Sequence, residues 1–254
     1  MAFELFDLTG KVALVTGGSK GLGRAMARGF VEAGADIVIS SRHEDELQAA
    51  LPDILRGTNR GGSYVVSDMT KRADVDRLAA TALGEMGRVD ILVNNAGTNI
   101  PQPIDEIRDE DWHTVMELNL NSVMALTRAL VPQMKARRWG RIIHISSIMG
   151  LVSAPGRNVY SATKAALIGM ARANALDLGG FGITVNCIAP GPFLTDLPMR
   201  LLSEEQKREF TRMTALGRWG DAKELIGPAL LLASEAGSYI TGTTLVVDGG
   251  WLTR

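Results

Sequence analysis

A tyrosine and a lysine set four residues apart are the pair in this sequence most suited to acid–base chemistry. Tyr160 and Lys164 lie in segment 159–178, which we predict to be helical, so the two side chains share one helical face. A phenol with a pKa of about 10 is a poor acid or base at neutral pH, but a cation within a few ångströms lowers that pKa by about one to three units. The spacing predicts that Tyr160, activated by Lys164, protonates a ketone or deprotonates an alcohol. The alternative is that the pair only decorates a helix surface.

A pair of serines stands shortly before that helix. Ser146 ends a predicted strand at 141–146 and Ser147 follows it. The carboxyl ends of parallel strands present side chains to a ligand, so we predict that Ser147 hydrogen-bonds a substrate oxygen and holds it for reaction. The alternative is a pair of serines that forms a turn.

Three glycines follow the first predicted strand and precede a helical segment. Gly17, Gly21 and Gly23 have the spacing G-x-x-x-G-x-G. Glycines there allow a tight turn and a close approach to a pyrophosphate, which the helix N-terminus attracts. Because the glycines follow the first strand of the predicted sheet, they favour dinucleotide binding over a simple strand-to-helix turn. The loop side chains of Ser19, Lys20 and Leu22 are predicted to touch the cofactor.

The end of the second predicted strand bears on which dinucleotide is bound. NAD sites usually place a carboxylate there to bind the ribose hydroxyls, whereas this strand ends Ser40-Ser41-Arg42. A guanidinium suits the 2′-phosphate of NADP, and Lys20 adds a second cation nearby. We therefore predict that Ser41 and Arg42 contact the cofactor and that NADP(H) is preferred over NAD(H). The alternative is two solvated surface cations.

Short β-branched runs alternate with helical segments along the whole chain. Strands are predicted at 11–16, 36–41, 63–67, 89–93, 141–146, 183–188 and 243–247, and helices at 21–33, 44–55, 72–86, 109–134, 159–178 and 222–234. Strands that are apolar on both faces are covered by helices on both sides, so we predict an α/β fold, doubly wound around a mostly parallel seven-stranded sheet. No linker or repeat divides the chain, which indicates one domain over 1–254. The long insertion at 189–214, with three prolines, is predicted to be a substrate-binding loop or lid; otherwise it is a surface excursion.

Composition narrows the functional classes. Lys and Arg number 27 against 28 Asp and Glu, a net charge near −1, which argues against a dedicated nucleic-acid binder. No apolar run approaches a membrane span and the start lacks a secretory pattern, so a cytoplasmic protein with no membrane partner is expected. Cys187 is the only cysteine and is predicted to be a buried apolar side chain. The three histidines are scattered without a zinc-binding pattern, so no metal site is predicted.

Taken in order, these motifs resemble those of the short-chain dehydrogenases/reductases, in their short single-domain group, over essentially the whole chain. The motifs that carry the resemblance are Thr16-Gly17-x-x-x-Gly21-x-Gly23, Asp68 in SDMT, Asn94-Asn95-Ala96-Gly97, Asn119 in LNLN, Ser147, Tyr160-x-x-x-Lys164, and Pro190-Gly191 followed by Thr195. The resemblance implies a Rossmann-type fold and an enzyme that interconverts a ketone and a secondary alcohol by hydride transfer with NAD(P).

The resemblance also implies roles for individual residues. Ser147 would orient the substrate, Tyr160 act as acid and base, Lys164 hold ribose hydroxyls and lower the phenol pKa, and Asn119 anchor a water-mediated proton relay. Cofactor contacts are implied for Asp68 at the adenine, for Asn94, Asn95, Ala96 and Gly97 along the adenosine ribose, for Ile188 and Thr195 at the nicotinamide carboxamide, and for Met69, Pro190 and Gly191.

The substrate is less constrained than the reaction. Residues expected near the reacting atoms are mostly apolar: Ile148, Met149, Val152, Pro192, Phe193, Leu197 and Met199, with Asn99 and Arg157 as the polar members. The resemblance implies a sugar acid as substrate, as in gluconate 5-dehydrogenases, or another small ketone. A 3-oxoacyl-acyl-carrier-protein reductase is the alternative.

Two features bear on that alternative. The basic stretch MKARRWGR at 134–141 suits docking of an acidic carrier protein, or equally a helix end that places cations on its negative dipole. Gly180-Phe181-Gly182, however, lacks the basic residue that carrier-protein reductases tend to have. A catalytically idle NADP-binding sensor or scaffold is a further alternative, against which the intact catalytic set argues. The resemblance implies a tetramer, which is typical of the family, and surplus apolar positions on the predicted helices at 109–134 and 159–178 fit a homotetramer paired through these helices.

Overall fold

One seven-stranded sheet forms the centre of the molecule. The computed structural model describes residues 4–195, 199 and 202–253. The strands are β1 (Val12–Thr16), β2 (Asp36–Ser41), β3 (Gly62–Val66), β4 (Ile91–Asn94), β5 (Gly140–Ile145), β6 (Ile183–Pro190) and β7 (Thr244–Val247). Their order is β3-β2-β1-β4-β5-β6-β7 and every pair of neighbours is parallel. The predicted α/β architecture is confirmed.

Helices cover both faces of this sheet. They are α1 (Gly21–Glu32), α2 (Glu44–Leu55), α3 (Arg72–Met86), α4 (Asp109–Met116), α5 (Ser122–Arg137), α6 (Asn158–Leu178), α7 (Glu204–Met213) and α8 (Ile226–Ala233). Residues of α3, α5 and α6 pack against one face, and residues of α1, α2 and α8 against the other. β1, β4, β5 and β6 are buried throughout, because strands between two helical layers have no solvent-facing side. Among the described helices, none is both long and apolar enough to cross a membrane.

Two predicted helices are interrupted in the structure. The helix predicted at 109–134 is divided by a π-helical turn at Glu117–Asn121 between α4 and α5. An extra residue in a helix produces such a turn without changing the polarity pattern. The helix predicted at 222–234 begins as the 3₁₀ segment Ala222–Leu225 before α8, because the ring of Pro228 would clash with the Glu224 carbonyl in a continuous α-helix.

The strand order reverses direction between β1 and β4. From β1 the chain continues outward to β2 and β3, whereas from β4 it continues to β5, β6 and β7 on the other side. The connecting helices leave on opposite faces of the sheet, which opens a crevice at the carboxyl ends of β1 and β4. The glycine loop follows β1, and Asn95 to Gly97 follow β4, so the topology alone brings these two motifs together.

Candidate active site

A cleft of about 480 Å³ runs along the carboxyl ends of the central strands. It is lined by many of the residues singled out from the sequence: Gly17, Ser19, Lys20, Gly21, Leu22, Ser41, Arg42, Met69, Asn95, Ala96, Gly97, Ser147, Tyr160, Lys164, Pro190, Gly191 and Thr195. The glycine loop and the tyrosine–lysine pair therefore belong to one continuous cleft. Its two ends are described in turn.

The glycine loop forms a cradle that larger residues would fill. Gly17 and Gly21 have positive φ angles of 63° and 56°, which glycine adopts without strain. At Gly23 a Cβ would collide with the Gly17 carbonyl and lie 2.5 Å from Asn95 Nδ2. That amide in turn donates to the Thr16 carbonyl at 2.9 Å. The Lys20 side chain does not cap α1, and Gly21 and Leu22 at the start of this helix line the cleft, so the helix N-terminus is available to a pyrophosphate.

The far end of the cleft carries two cations and one carboxylate. Arg42 is exposed on the cleft rim. Lys20 Nζ lies 2.8 Å from Glu46 Oε1, and Ser19 Oγ donates to Glu46 Oε2 at 3.0 Å. The hydrogen bond from Lys20 is the main cause of a lowered pKa at Glu46, which keeps that carboxylate charged. Glu46 was missed from the sequence because it contacts Lys20 only once α2 docks beside the loop.

Tyr160 and Lys164 both face the reaction end of the cleft from α6. Lys164 Nζ lies 5.5 Å from the centre of the Tyr160 ring and donates to the Ile145 carbonyl at 2.7 Å. Burial lowers the pKa of Lys164 to about 8. Burial also raises the pKa of Tyr160, and this effect exceeds the lowering by Ser147 and Arg157. The expected lowering of the phenol pKa by Lys164 is therefore wrong for the protein alone, because desolvation of the phenolate dominates.

Ser147 is both a turn residue and a cleft residue. It caps the short 3₁₀ turn Ile148–Gly150, with Oγ accepting from Met149 N at 3.1 Å. Its neighbour Ser146 donates to the Lys164 carbonyl at 2.8 Å. This bond ties the end of β5 to α6, so the serine and the tyrosine–lysine pair are held on one rigid frame.

Asn119 lies in the π-helical turn and is almost completely buried. Its Oδ1 accepts from Thr98 N at 2.9 Å, and its Nδ2 donates to the Thr98 carbonyl at 2.9 Å and to Thr163 Oγ1 at 3.2 Å. A Cβ on Gly97 would lie 3.2 Å from Asn119 Oδ1 and 3.4 Å from Lys164 Nζ. The amide and the ammonium thus approach the same small space above Gly97, although Asn119 does not line the cleft itself.

Three of the residues expected from resemblance to contact the cofactor do not line the cleft, and their contacts stay predictions. Ile188 is fully buried inside β6 and its carbonyl accepts from Ser146 N at 2.8 Å, whereas Phe193 lines the cleft. The Oδ1 atom of Asp68 accepts from the backbone and hydroxyl of Thr70. Asn94 is turned into the sheet toward Thr127 and His144.

The expected substrate pocket is largely reproduced. Ile148, Met149, Pro192, Phe193, Asn99 and Arg157 line the cleft. Val152 does not, being 42% exposed, and Leu197 lies outside the described residues. Three apolar residues beyond the prolines also line it: Leu202, Phe210 and Trp219. Phe210 and Trp219 pack with their ring centres 5.8 Å apart, a contact between α7 and the segment after it that no local pattern reveals.

Fold and cleft together define an open α/β protein with a dinucleotide-binding type of crevice and a tyrosine–lysine pair at one end. The family model described as Enoyl-(Acyl carrier protein) reductase matches residues 17–252. Gluconate 5-dehydrogenase of Gluconobacter oxydans is 36% identical over 249 residues, 97% of this chain and 96% of the relative. The 3-oxoacyl-[acyl-carrier-protein] reductase of Escherichia coli is 39% identical over 244 residues, 96% and 98% of the two chains.

Solved structures of similar proteins have the same fold. A gluconate 5-dehydrogenase from Burkholderia cenocepacia, crystallised with NADP and tartrate, is 36% identical and superposes with a TM-score of 0.92 over 100% of both chains. The chain belongs to the short-chain dehydrogenases/reductases, and it is an oxidoreductase of that family.

Proposed function

We propose that this protein interconverts a ketone and a secondary alcohol with NADP(H), using Tyr160 as the acid and base. The observation that carries the proposal is the convergence of Ser147, Tyr160 and Lys164 on a cleft whose other end is the glycine cradle. A dinucleotide fits that cleft because the loop leaves backbone N–H groups uncovered and Gly23 tolerates no side chain. A scaffold that only bound the dinucleotide would not need a buried lysine and a desolvated phenol beside it.

Each of the polar side chains at the reaction end has a separate role in ketone reduction. NADPH, when bound, would supply the hydride for the carbonyl carbon. The Ser147 hydroxyl holds the carbonyl oxygen, and the Tyr160 phenol gives its proton to that oxygen. Burial keeps the phenol protonated at neutral pH, since it raises the pKa, which suits a proton donor. Lys164 would pass a replacement proton toward the phenol through water, and Asn119, which borders the same space, would help to hold that water in place.

Arg42 is proposed to select NADP(H) by pairing with the 2′-phosphate. We expect Arg42→Ala to raise the Kd for NADPH about ten- to hundredfold, the range of a charge-assisted hydrogen bond, and to leave the Kd for NADH nearly unchanged. Fluorescence titration with each cofactor measures both constants. Glu46→Gln should have the opposite effect and lower the Kd for NADPH. It removes the carboxylate that pairs with Lys20, so that the ammonium becomes available to the 2′-phosphate. Equal losses for NADPH and NADH in Arg42→Ala would refute this selectivity.

The substrate is proposed to be a small ketone of the sugar-acid class. The Gluconobacter and Burkholderia relatives are gluconate 5-dehydrogenases, and the latter was solved with tartrate, itself a hydroxy acid. A 3-oxoacyl-acyl-carrier-protein substrate is the second candidate, supported by the Escherichia coli relative and by the basic residues near the end of α5, of which Arg138 is exposed. The absorbance of NADPH at 340 nm, followed with 5-ketogluconate, a 3-oxoacyl thioester and simple ketones, tests both. Loss of absorbance is expected with the sugar acid, and turnover of none of these ketones would contradict the proposed activity.

Two further features complete the proposal. Segment 189–214 is the substrate-binding loop of the single domain, supported by the cleft-lining positions of Pro192, Phe193 and Phe210 on its described parts. A homotetramer is supported by apolar side chains exposed on α5 and α6, Met124 and Leu176.

A further inference from the structure

Two polar side chains at the reaction end of the cleft have no part in the proton transfer. Asn99 is only 6% exposed, and among the described residues neither its Oδ1 nor its Nδ2 has a hydrogen-bond partner. A buried amide without partners is costly, so such a group usually serves a ligand or water. Asn99 lines the cleft, which gives its amide access to a bound molecule.

Arg157, three residues before Tyr160 in the chain, also lines the cleft. It is half-buried, and burial is the main cause of its lowered pKa. No side-chain hydrogen bond or ion pair of its guanidinium occurs within the described residues, whereas Arg108 pairs with Asp111 at 2.6 Å and Arg218 with Glu224 at 2.7 Å. Its charge acts on the Tyr160 phenol, which places it close to the reacting group. A desolvated cation is stabilised when an anion joins it.

The segments that carry the two residues are tied together before any ligand arrives. Asn99 belongs to the loop after β4, and Arg157 stands immediately before α6. Gln102 joins these two segments, since its N donates to the Gly156 carbonyl at 3.0 Å and its carbonyl accepts from Asn158 Nδ2 at 3.0 Å. These bonds limit the backbone movement that binding would need, which favours affinity.

No carboxylate among the described cleft-lining residues lies at the reaction end to balance the positive charge of Arg157. Of the described residues lining the cleft, Glu46 is the one acid, and it lies at the cofactor end beside Lys20. An anionic group placed near Tyr160 would meet a cation and an amide without meeting repulsion from these residues.

We propose that Arg157 and Asn99 form a subsite for the carboxylate of a hydroxy- or keto-acid substrate, Arg157 pairing with the carboxylate and Asn99 with a neighbouring hydroxyl. The subsite deepens the proposed ketone reduction and rests on it. Because Arg157 adjoins Tyr160, the anion lies within a few bonds of the reacting carbonyl. A carrier-protein thioester does not fit, since its phosphate is separated from the ketone by the whole pantetheine arm.

The test compares matched substrates in matched variants. Arg157→Gln should raise the KM for 5-ketogluconate about ten- to hundredfold and change the KM for fructose, a neutral ketose of equal chain length, less than about twofold. Arg157→Lys keeps the charge but loses the two parallel N–H donors of the guanidinium. Its KM for 5-ketogluconate should lie between those of the wild type and Arg157→Gln. Arg72→Gln makes the same chemical change at an exposed arginine of α3 and should change neither KM. An equal rise in both KM values in Arg157→Gln would overturn the subsite while leaving the ketone reduction intact.

Binding without turnover separates the two proposals. Calorimetric titration of the NADP⁺-loaded enzyme with tartrate should give a Kd that Arg157→Gln weakens about ten- to hundredfold. Asn99→Ala should weaken tartrate binding without lowering Tm, because its amide has no protein partner to lose. If no ketone is reduced but tartrate binds through Arg157, the activity fails and the subsite stands. Absence of carboxylate binding to the wild-type holoenzyme, or a Kd that Arg157→Gln does not change, would overturn the subsite.

Discussion

Replacing Tyr160 by phenylalanine is expected to reduce kcat for ketone reduction by about 10²–10⁴-fold, the usual contribution of general acid catalysis. The Kd for NADPH should stay within about twofold, because the hydroxyl acts in the transition state and phenylalanine keeps the ring that packs in the cleft. Stopped-flow absorbance at 340 nm gives kcat, and fluorescence titration gives the Kd.

The pH profile sharpens this result. Because burial raises the pKa of Tyr160, the phenol stays protonated through neutral pH and reduction should be insensitive to pH there. Alcohol oxidation needs the phenolate, so its rate should rise with pH in the wild-type enzyme and lose that rise in Tyr160→Phe. Near-normal turnover in Tyr160→Phe would place the proton donor elsewhere.

The second large effect is expected at Lys164. Methionine there keeps the length of the side chain but removes the ammonium, which donates to the Ile145 carbonyl and approaches the space above Gly97. We expect Lys164→Met to lower kcat about 10²-fold or more and also to weaken NADPH binding, unlike Tyr160→Phe. The same two assays measure both constants.

A control separates this effect from a loss of folding. Circular dichroism and Tm should show that Lys164→Met remains folded, since methionine is accommodated in buried sites more easily than a charged ammonium. A variant that stays folded, binds NADPH normally and loses only kcat would contradict a cofactor-holding role for Lys164. Unchanged kcat would remove it from the catalytic set.

Several helices and strands were predictable from the sequence because their ends depend on residues close by in the chain. Strand 36–41 and helices 44–55 and 72–86 were predicted with the bounds that β2, α2 and α3 have. The π-helical turn could not be predicted, because its extra residue leaves the polarity pattern of a helix intact. It nevertheless carries Asn119 toward Thr98 and Thr163, so the missed feature is the one that positions a candidate catalytic residue.

Motifs that lie far apart in the sequence, such as the glycine loop and the tyrosine–lysine pair, were predicted to share one cleft. The structure brings them together because the carboxyl ends of parallel strands meet at one edge of the sheet. The contacts of single side chains were not readable in the same way. Glu46 of α2 pairs with Lys20, Asp68 accepts from Thr70, and Ile188 is fully buried in β6. Side-chain direction and burial, which also reverse the expected shift of the Tyr160 pKa, depend on packing that spacing in the sequence does not encode.

The most direct test of the account is the fate of the hydrogen on the reduced cofactor. NADPH deuterated at one or the other C4 position is incubated with the enzyme and 5-ketogluconate, and the alcohol product is analysed by mass spectrometry. The account predicts one deuterium on the new carbinol carbon from one of the two labelled cofactors and a severe slowing of its appearance in Tyr160→Phe. An alcohol that carries no deuterium from either cofactor, or no alcohol at all, would contradict it.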